Sequence, residues 1–267
     1  MRDLRLKYGD WALVAGAAKG LGEAFCTTLA KRGFKIVMVD MLKDSMMKLS
    51  EKLKTDNGIE TLCLNIDLFE ADSSFLIMNA IKGLNCRLMI YNAAFRYIKN
   101  FTEHTSEELD IYLNVNINSQ IKLIHAFSKG LIDKGQNGGI LLMSSLTGLL
   151  GMQLVATYSA SKAFTWNLAE ALYHEFKIHN IDITACIAGP TATEAYLGSN
   201  PQYGFIKPQV QKQEAVAEAA LNKLGKRAFF ISGLSNRINY FILTKLLPRK
   251  IASRIANKTM RKMYPDA

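Results

Sequence analysis

The stretch "WALVAGAAKGLGEAF", residues 11–25, changes character halfway. A short apolar run ends in small residues, three glycines (Gly16, Gly20 and Gly22) follow, and a helical pattern begins at Leu21. Glycine lets a backbone turn tightly and lets an anion approach the unpaired N–H groups at a helix N-terminus. Glycine content alone is weak evidence for a phosphate loop. The spacing G-x-x-x-G-x-G, set between a strand and a helix, is more selective.

The same alternation continues outward from this unit. "FKIVMVD", "IETLCLNID", "CRLMIYNAA", "GGILLMSS", "IDITACIAGP" and "RAFFISG" read as further buried strands. Helices are predicted over 21–32, 43–55, 71–82, 106–134, 161–179 and 213–224. Continuous apolar strands alternating with helices predict an α/β chain with a single doubly wound parallel sheet, a Rossmann fold with helices on both faces. With no repeat or linker before about Gly233, residues 1–234 are expected to form one domain. Residues 235–267 are expected to form a basic helical C-terminal extension.

Composition narrows the function classes. The chain has 267 residues, 49% of them hydrophobic and 21% charged, ordinary for a globular protein. Cys26, Cys63, Cys86 and Cys186 stand isolated in apolar segments, and the four histidines are scattered, so neither a disulfide framework nor a metal site is expected. The N-terminus lacks a secretory pattern and no apolar run is long enough to span a bilayer, which points to a cytoplasmic protein. The net charge of +10 is concentrated beyond Gly233, where eight lysines and arginines face Asp266 alone. No nucleic-acid-reading module accompanies that charge, so nucleic acid is not an expected partner.

Asp40 closes the second strand about 20 residues beyond the glycine loop. A carboxylate there accepts hydrogen bonds from ribose hydroxyls and repels a 2′-phosphate, which argues for NAD over NADP. Lys19, inside the loop, pulls toward the extra phosphate, so NADP stays possible. Further along, "YSASK" places Tyr158 and Lys162 four residues apart, on one face of a helix expected to open there, with Ser159 and Ser161 as candidate caps. A nearby ammonium and a positive helix end both favour a phenolate and are expected to lower the tyrosine pKa. Tyr158 could then exchange a proton with a hydroxyl or carbonyl oxygen.

Taken in order, "AGAAKGLG", Asp40, "NID" at 65–67, "NAA" at 92–94, "NVN" at 114–116, "MSS" at 143–145 and "YSASK" resemble the short-chain dehydrogenase/reductase family over residues 8–233. The most specific element is Ser145 thirteen residues before Tyr158, with Lys162 four after. The resemblance implies a catalytic set of Asn116, Ser145, Tyr158 and Lys162. Ser145 would bond the substrate oxygen, Lys162 would hold the nicotinamide ribose, and Asn116 would order a relay water. It also implies cofactor contacts from Gly16, Lys19, Gly20, Leu21, Gly22, Asp40, Asp67, Asn92, Ala93, Gly189, Thr191 and Thr193, besides Tyr158 and Lys162. A homodimer or homotetramer is implied as well. The chain departs from the family pattern at Ala15, where a threonine is usual, at Tyr91 and Ala94 within "YNAA", and at Ala188 where a proline is usual.

The apolar and aromatic residues Tyr196, Leu197, Tyr203 and Phe205 after the sixth strand suggest a lid over an apolar substrate. Leu146, Leu149, Leu150, Met152 and Leu154 strengthen that reading. The expected activity is NAD(P)-dependent interconversion of a secondary alcohol and a ketone on a bulky apolar molecule such as a hydroxysteroid, a bile acid or a 3-oxoacyl lipid. A sugar or polyol dehydrogenase and a non-catalytic dinucleotide-binding regulator are the alternatives. The tail reads as two helices broken at Pro248, the second with Ile251, Ile255 and Thr259 on one stripe among basic residues. It suits either packing on the protein or peripheral contact with an anionic membrane.

Overall fold

The computed structural model describes residues 4–203 and 207–267, so Phe205 of the expected lid lies outside the described residues. Seven strands, β1 (Trp11–Ala15), β2 (Lys35–Val39), β3 (Thr61–Leu64), β4 (Cys86–Tyr91), β5 (Gly138–Ser145), β6 (Ile181–Ala188) and β7 (Phe229–Ile231), form one sheet. Its order is β3-β2-β1-β4-β5-β6-β7 and every pairing is parallel. Side-chain alternation along β1 shows how both faces are covered. Ala12 and Val14 enter one core, while Leu13 and Ala15 enter the other.

The N-terminal α1 (Leu4–Tyr8) lies against β4 and β5, while α2 (Leu21–Ala30), α3 (Lys43–Asn57) and α4 (Ser73–Ala80) follow β1, β2 and β3. After β4 come α5 (Ser106–Leu113), α6 (Ser119–Asp133), α7 (Ala156–Glu175), the short α8 (Glu194–Leu197) and α9 (Gln213–Lys223). From β1 the chain winds outward to β3, then returns to place β4 on the other side of β1. That reversal opens a crevice at the C-terminal ends of β1 and β4, where ligands bind in open α/β sheets.

Three local differences from the sequence reading bear on function. Helix α7 begins at Ala156, so "YSASK" lies inside its first turns and its serines cap nothing. Ser161 Oγ instead donates to the Tyr158 carbonyl at 2.8 Å. The helix expected over 106–134 is interrupted by a π-turn at Asn114–Asn118. Tyr91, one of the departures from the family pattern, donates its hydroxyl to the Val115 carbonyl at 2.6 Å and so satisfies a backbone group inside that turn. The N-terminal α1 was not expected; its buried Tyr8, together with Lys7, bonds Asp182 on β6.

Beyond β7 come α10 (Leu234–Phe241), a π-turn at Ile242–Leu246 and α11 (Arg249–Met263), with Pro248 at the cap of α11. Ala252, Ala256 and Met260, spaced four apart, are buried against the body, while Ile251 and Ile255 remain exposed. Asn257 pins this helix through Gln153, accepting its backbone N–H at 2.7 Å. The opposed Leu154 holds a positive φ of 64°. Such a backbone is unusual for a bulky residue, and here its side chain is buried beside Met260 and Tyr264. Residues 235–267 therefore share their packing with residues 1–234.

Candidate active site

At the crevice the glycine loop is fixed by contacts that leave no room for side chains. Gly16 has φ 78°, and a Cβ on it would lie 2.7 Å from the Ala93 backbone. A Cβ on Gly22 would lie 1.8 Å from the Gly16 carbonyl oxygen. The Asn92 side chain donates to that same oxygen at 2.8 Å, and the N–H groups of Asn92 and Ala93 both donate to the Ala15 carbonyl. Helix α2 has Gly20 at its N-cap with no side-chain cap, and the first N–H groups of the helix meet only the Lys19 carbonyl, from Gly22 at 3.2 Å and Glu23 at 3.5 Å. A loop so built could cradle a pyrophosphate, and a methyl group at Gly16 or Gly22 would force its backbone apart.

Asp40 sits at the outer end of the cradle. Its Oδ2 accepts from Ala18 N at 2.9 Å and its Oδ1 from Leu42 N at 3.0 Å, so the carboxylate is locked in place as an acceptor. Asn65 supports the same corner by donating to the carbonyls of Asp40 and Met41. Asp67 accepts from Phe69 N at 2.9 Å on the adjoining wall. Lys19 pairs with Glu194 of α8 at 2.9 Å, across the crevice. The one loop cation that favours a 2′-phosphate thus already has a carboxylate partner, although both groups are solvent-accessible and the pair is weak.

The catalytic candidates lie deeper. Ser145 ends β5, and its Oγ accepts from Thr147 N at 3.3 Å and lies 3.1 Å from the Thr147 hydroxyl. Tyr158 faces it from α7, with Lys162 Nζ 5.5 Å from the Tyr158 ring centre. Lys162 is buried, and its ammonium donates to the Met143 carbonyl at 2.8 Å. Burial lowers the Lys162 pKa to about 8. Burial also raises the Tyr158 pKa above its ordinary value, against the pull of Arg96 and the Ser145 hydroxyl. The expectation of a lowered phenol is therefore corrected: the loss of water around the ring outweighs the Arg96 charge and the Ser145 hydrogen bond.

Asn116 is buried behind this set, inside the π-turn. Its Oδ1 accepts from Phe95 N at 2.7 Å, and its Nδ2 donates to Phe95 O and to Ser161 Oγ. It joins the loop after β4 to helix α7. Of the catalytic and cofactor-contact residues that the resemblance implies, all but Asn116 and Gly22 line one cavity of about 1270 Å³, and those two stand behind its wall. Thr191 donates to the Gly189 carbonyl, and Thr193 accepts from Tyr196 N at the start of α8. Gly189 packs closely on Asn236, whose side-chain amide would have to shift for a Cβ there, at 2.4 Å.

The loop after β5, α5 and the C-terminal helices bring Ile111, Leu149, Leu150, Met152, Leu243 and Met260 to the cavity, together with the polar Asn239, Tyr240 and Thr244. Leu154 is core rather than wall, and Leu197 of the expected lid points to solvent. Tyr196 lines the cavity and shares a hydrogen bond with Tyr203 at 2.5 Å. Two contributors were not legible in the sequence. Arg96 places its guanidinium 6.0 Å from the Tyr158 ring centre and donates to the Ala195 carbonyl at 3.3 Å. The other is the roof of the cavity, which is built by α10, its π-turn and α11. A lone arginine in a loop and a basic tail carry no spacing signal that would mark either one.

Comparison with known proteins agrees with this geometry. The family model described as short chain dehydrogenase matches residues 10–204. A 7beta-hydroxysteroid dehydrogenase of Mediterraneibacter gnavus is 30% identical over 88% of this chain and 90% of its own length. A very-long-chain 3-oxoacyl-CoA reductase of Mus musculus is 27% identical over 97% of this chain and 83% of its own. A solved 7beta-hydroxysteroid dehydrogenase structure superposes with a TM-score of 0.87 at 26% identity, covering 95% of this chain and 98% of that one. With the glycine cradle, the Ser145–Tyr158–Lys162 set and the parallel sheet in agreement, the chain belongs to the short-chain dehydrogenase/reductase family of oxidoreductases.

Proposed function

We propose that the protein is an NAD-dependent oxidoreductase that interconverts a secondary alcohol and a ketone on a bulky apolar molecule of the hydroxysteroid or 3-oxoacyl-lipid class. The observation that carries this reading is the placement of Ser145, Tyr158 and Lys162 between a dinucleotide cradle and an apolar cavity wall. The names of the relatives, a hydroxysteroid dehydrogenase and a very-long-chain 3-oxoacyl-CoA reductase, point to the same substrate class. Asp40 and the pairing of Lys19 with Glu194 favour NAD over NADP. The leucines and methionines of the wall favour an apolar molecule over a polyol, although Asn239, Tyr240 and Thr244 add polar groups to the same cavity, and a non-catalytic role leaves the retained set unexplained.

Bound NAD supplies the hydride acceptor for the carbinol carbon, and the chain's own groups manage the oxygen and its proton. Tyr158 takes the hydroxyl proton during oxidation and returns it during reduction. Ser145 Oγ donates to the same oxygen and stabilises the charge that develops there. Lys162, whose ammonium donates to the Met143 carbonyl, would hold the nicotinamide ribose and support the phenolate. Both Nδ2 hydrogens of Asn116 are committed to Phe95 and Ser161, which leaves the second lone pair of Oδ1 to hold a relay water. Residues 1–234 act as the dehydrogenase body and residues 235–267 as the roof of its substrate cavity, in a homo-oligomer expected from the family.

The test is a nicotinamide-absorbance assay across steroid, acyl and sugar alcohols with NAD and NADP in parallel. The expected result is turnover of apolar ring or acyl alcohols with NAD preferred. Rates confined to polyols, or a strong NADP preference, would overturn it.

A further inference from the structure

The segment from Leu234 to Leu246 has two working faces. Asn236, Asn239, Tyr240, Leu243 and Thr244, spaced as one helical face, line the substrate cavity. Leu234, Ile238, Phe241, Ile242 and Leu246 lie outside that face and are 42–63% exposed. Five large apolar side chains gathered on one short exposed segment differ from apolar residues scattered singly over a surface, and they mark an interaction site. Around them Arg237, Lys245, Arg249, Lys250 and Arg254 are all exposed, and residues 234–263 contain no aspartate or glutamate. Ile255 and Thr259 of α11 are exposed and yet line the cavity, as is Asn239 of α10. The cavity therefore reaches the surface between the two C-terminal helices, beside the apolar stripe.

We propose that this C-terminal face docks on an anionic lipid surface and that the substrate cavity opens toward the bilayer. An apolar stripe on a helix bounded by basic residues matches the acyl and headgroup layers of a membrane, whose negative surface attracts each lysine or arginine by about 1 kcal/mol. The charge argues for lipid over a second copy of the chain, because two such faces brought together would repel. Helices α5 and α6 carry exposed apolar side chains of their own, Leu113 at the end of α5 and Ile121 on α6, away from the basic face. No helix among the described residues is long and apolar enough to cross a membrane, so the contact is peripheral. The proposal deepens the apolar-substrate reading and rests on it for the direction of substrate entry only.

The experiment is co-sedimentation of the full chain with vesicles of phosphatidylcholine alone and of phosphatidylcholine with phosphatidylserine. The wild type is expected to pellet with the serine-containing vesicles and to be released by salt. Phe241→Glu with Ile238→Glu should weaken binding roughly tenfold or more, and Lys245→Glu with Arg249→Glu should remove the preference for anionic lipid. None of the four residues lines the cavity, so these variants should turn over a small water-soluble ketone at the wild-type rate, which also shows that they are folded. Pelleting that ignores lipid charge would overturn the proposal. So would a wild-type oligomer that Phe241→Glu dissociates, since a second copy would then own the face. Vesicle binding in a protein that turns over only polyols would support the docking surface and overturn the apolar-substrate reading.

Discussion

The two halves of the cavity are built on different principles. At the glycine loop the backbone makes the wall: Gly16 and Ala93 touch without side chains between them, Gly22 backs Gly16 from behind, and Asn92 and Asp40 bond main-chain groups. On the substrate side the side chains make the wall, drawn from the loop after β5, from α5, and from α10 and α11. A backbone wall admits one shape of ligand and tolerates no added atom. A wall of leucines and methionines can be repacked at modest cost, which suits a family whose members share one cofactor chemistry and differ in substrate. On the function proposed above, the backbone wall would fix the cofactor and the side-chain wall would choose the substrate, with Ser145, Tyr158 and Lys162 between them.

The largest effect should come from breaking the backbone wall. Gly22→Ala sets a methyl group against the Gly16 carbonyl and is expected to abolish NAD binding in a fluorescence titration, whereas Gly151→Ala, with nothing nearby to meet, should leave it unchanged. Next in size, Tyr158→Phe should lower kcat by about 10²- to 10⁴-fold with cofactor affinity preserved. Ser145→Ala should cost about 10²-fold or more in kcat, because it removes a donor to the developing oxyanion. On the side-chain wall the effects should be smaller and should fall on KM. Leu243→Ala enlarges the cavity roof and is expected to raise KM for a ring alcohol severalfold with little change in kcat. Equal losses in kcat at Leu243 and Ser145 would erase the distinction between the halves.

Arg96 sharpens the comparison because it belongs to neither wall by type. It is a loop residue whose charge pulls the Tyr158 pKa down while burial pushes it up. Arg96→Gln should therefore move the rise of the oxidation rate to higher pH, and Arg96→Lys should restore it, as read in kcat/KM profiles. An unchanged profile would reduce the guanidinium to a tie for the lid through Ala195.

Legibility in the sequence followed the same divide. The glycine spacing, Asp40 and the Ser145–Tyr158–Lys162 interval are short-range patterns, and each is imposed by contacts between neighbouring backbone segments. The alternation of apolar runs likewise foretold seven strands and a parallel sheet. The π-turn that breaks the long helix was hidden, since it depends on Tyr91 reaching Val115 from a strand 24 residues earlier. The start of α7 at Ala156 was missed because Val155, a poor capping type, takes the cap position and packing decides the boundary. The raised Tyr158 pKa was missed for a related reason: proximity to Lys162 can be read from spacing, but depth below the surface cannot. The tail gave away its charge but not its inner face, because Ala252, Ala256 and Met260 mark a buried stripe only once the surface they meet is known.

The most direct test of the account is the pH dependence of kcat/KM in both directions for the wild type and for Tyr158→Phe. A phenol whose pKa is raised by burial carries its proton at neutral pH. Reduction, which consumes that proton, should be flat near neutrality and fall as pH rises through the Tyr158 pKa. Oxidation, which needs the phenolate, should rise over the same interval. Opposite limbs that share one pKa and vanish together in Tyr158→Phe are the predicted result. Limbs that survive the substitution unchanged would contradict Tyr158 as the proton-transfer group and, with it, the central assignment of this site.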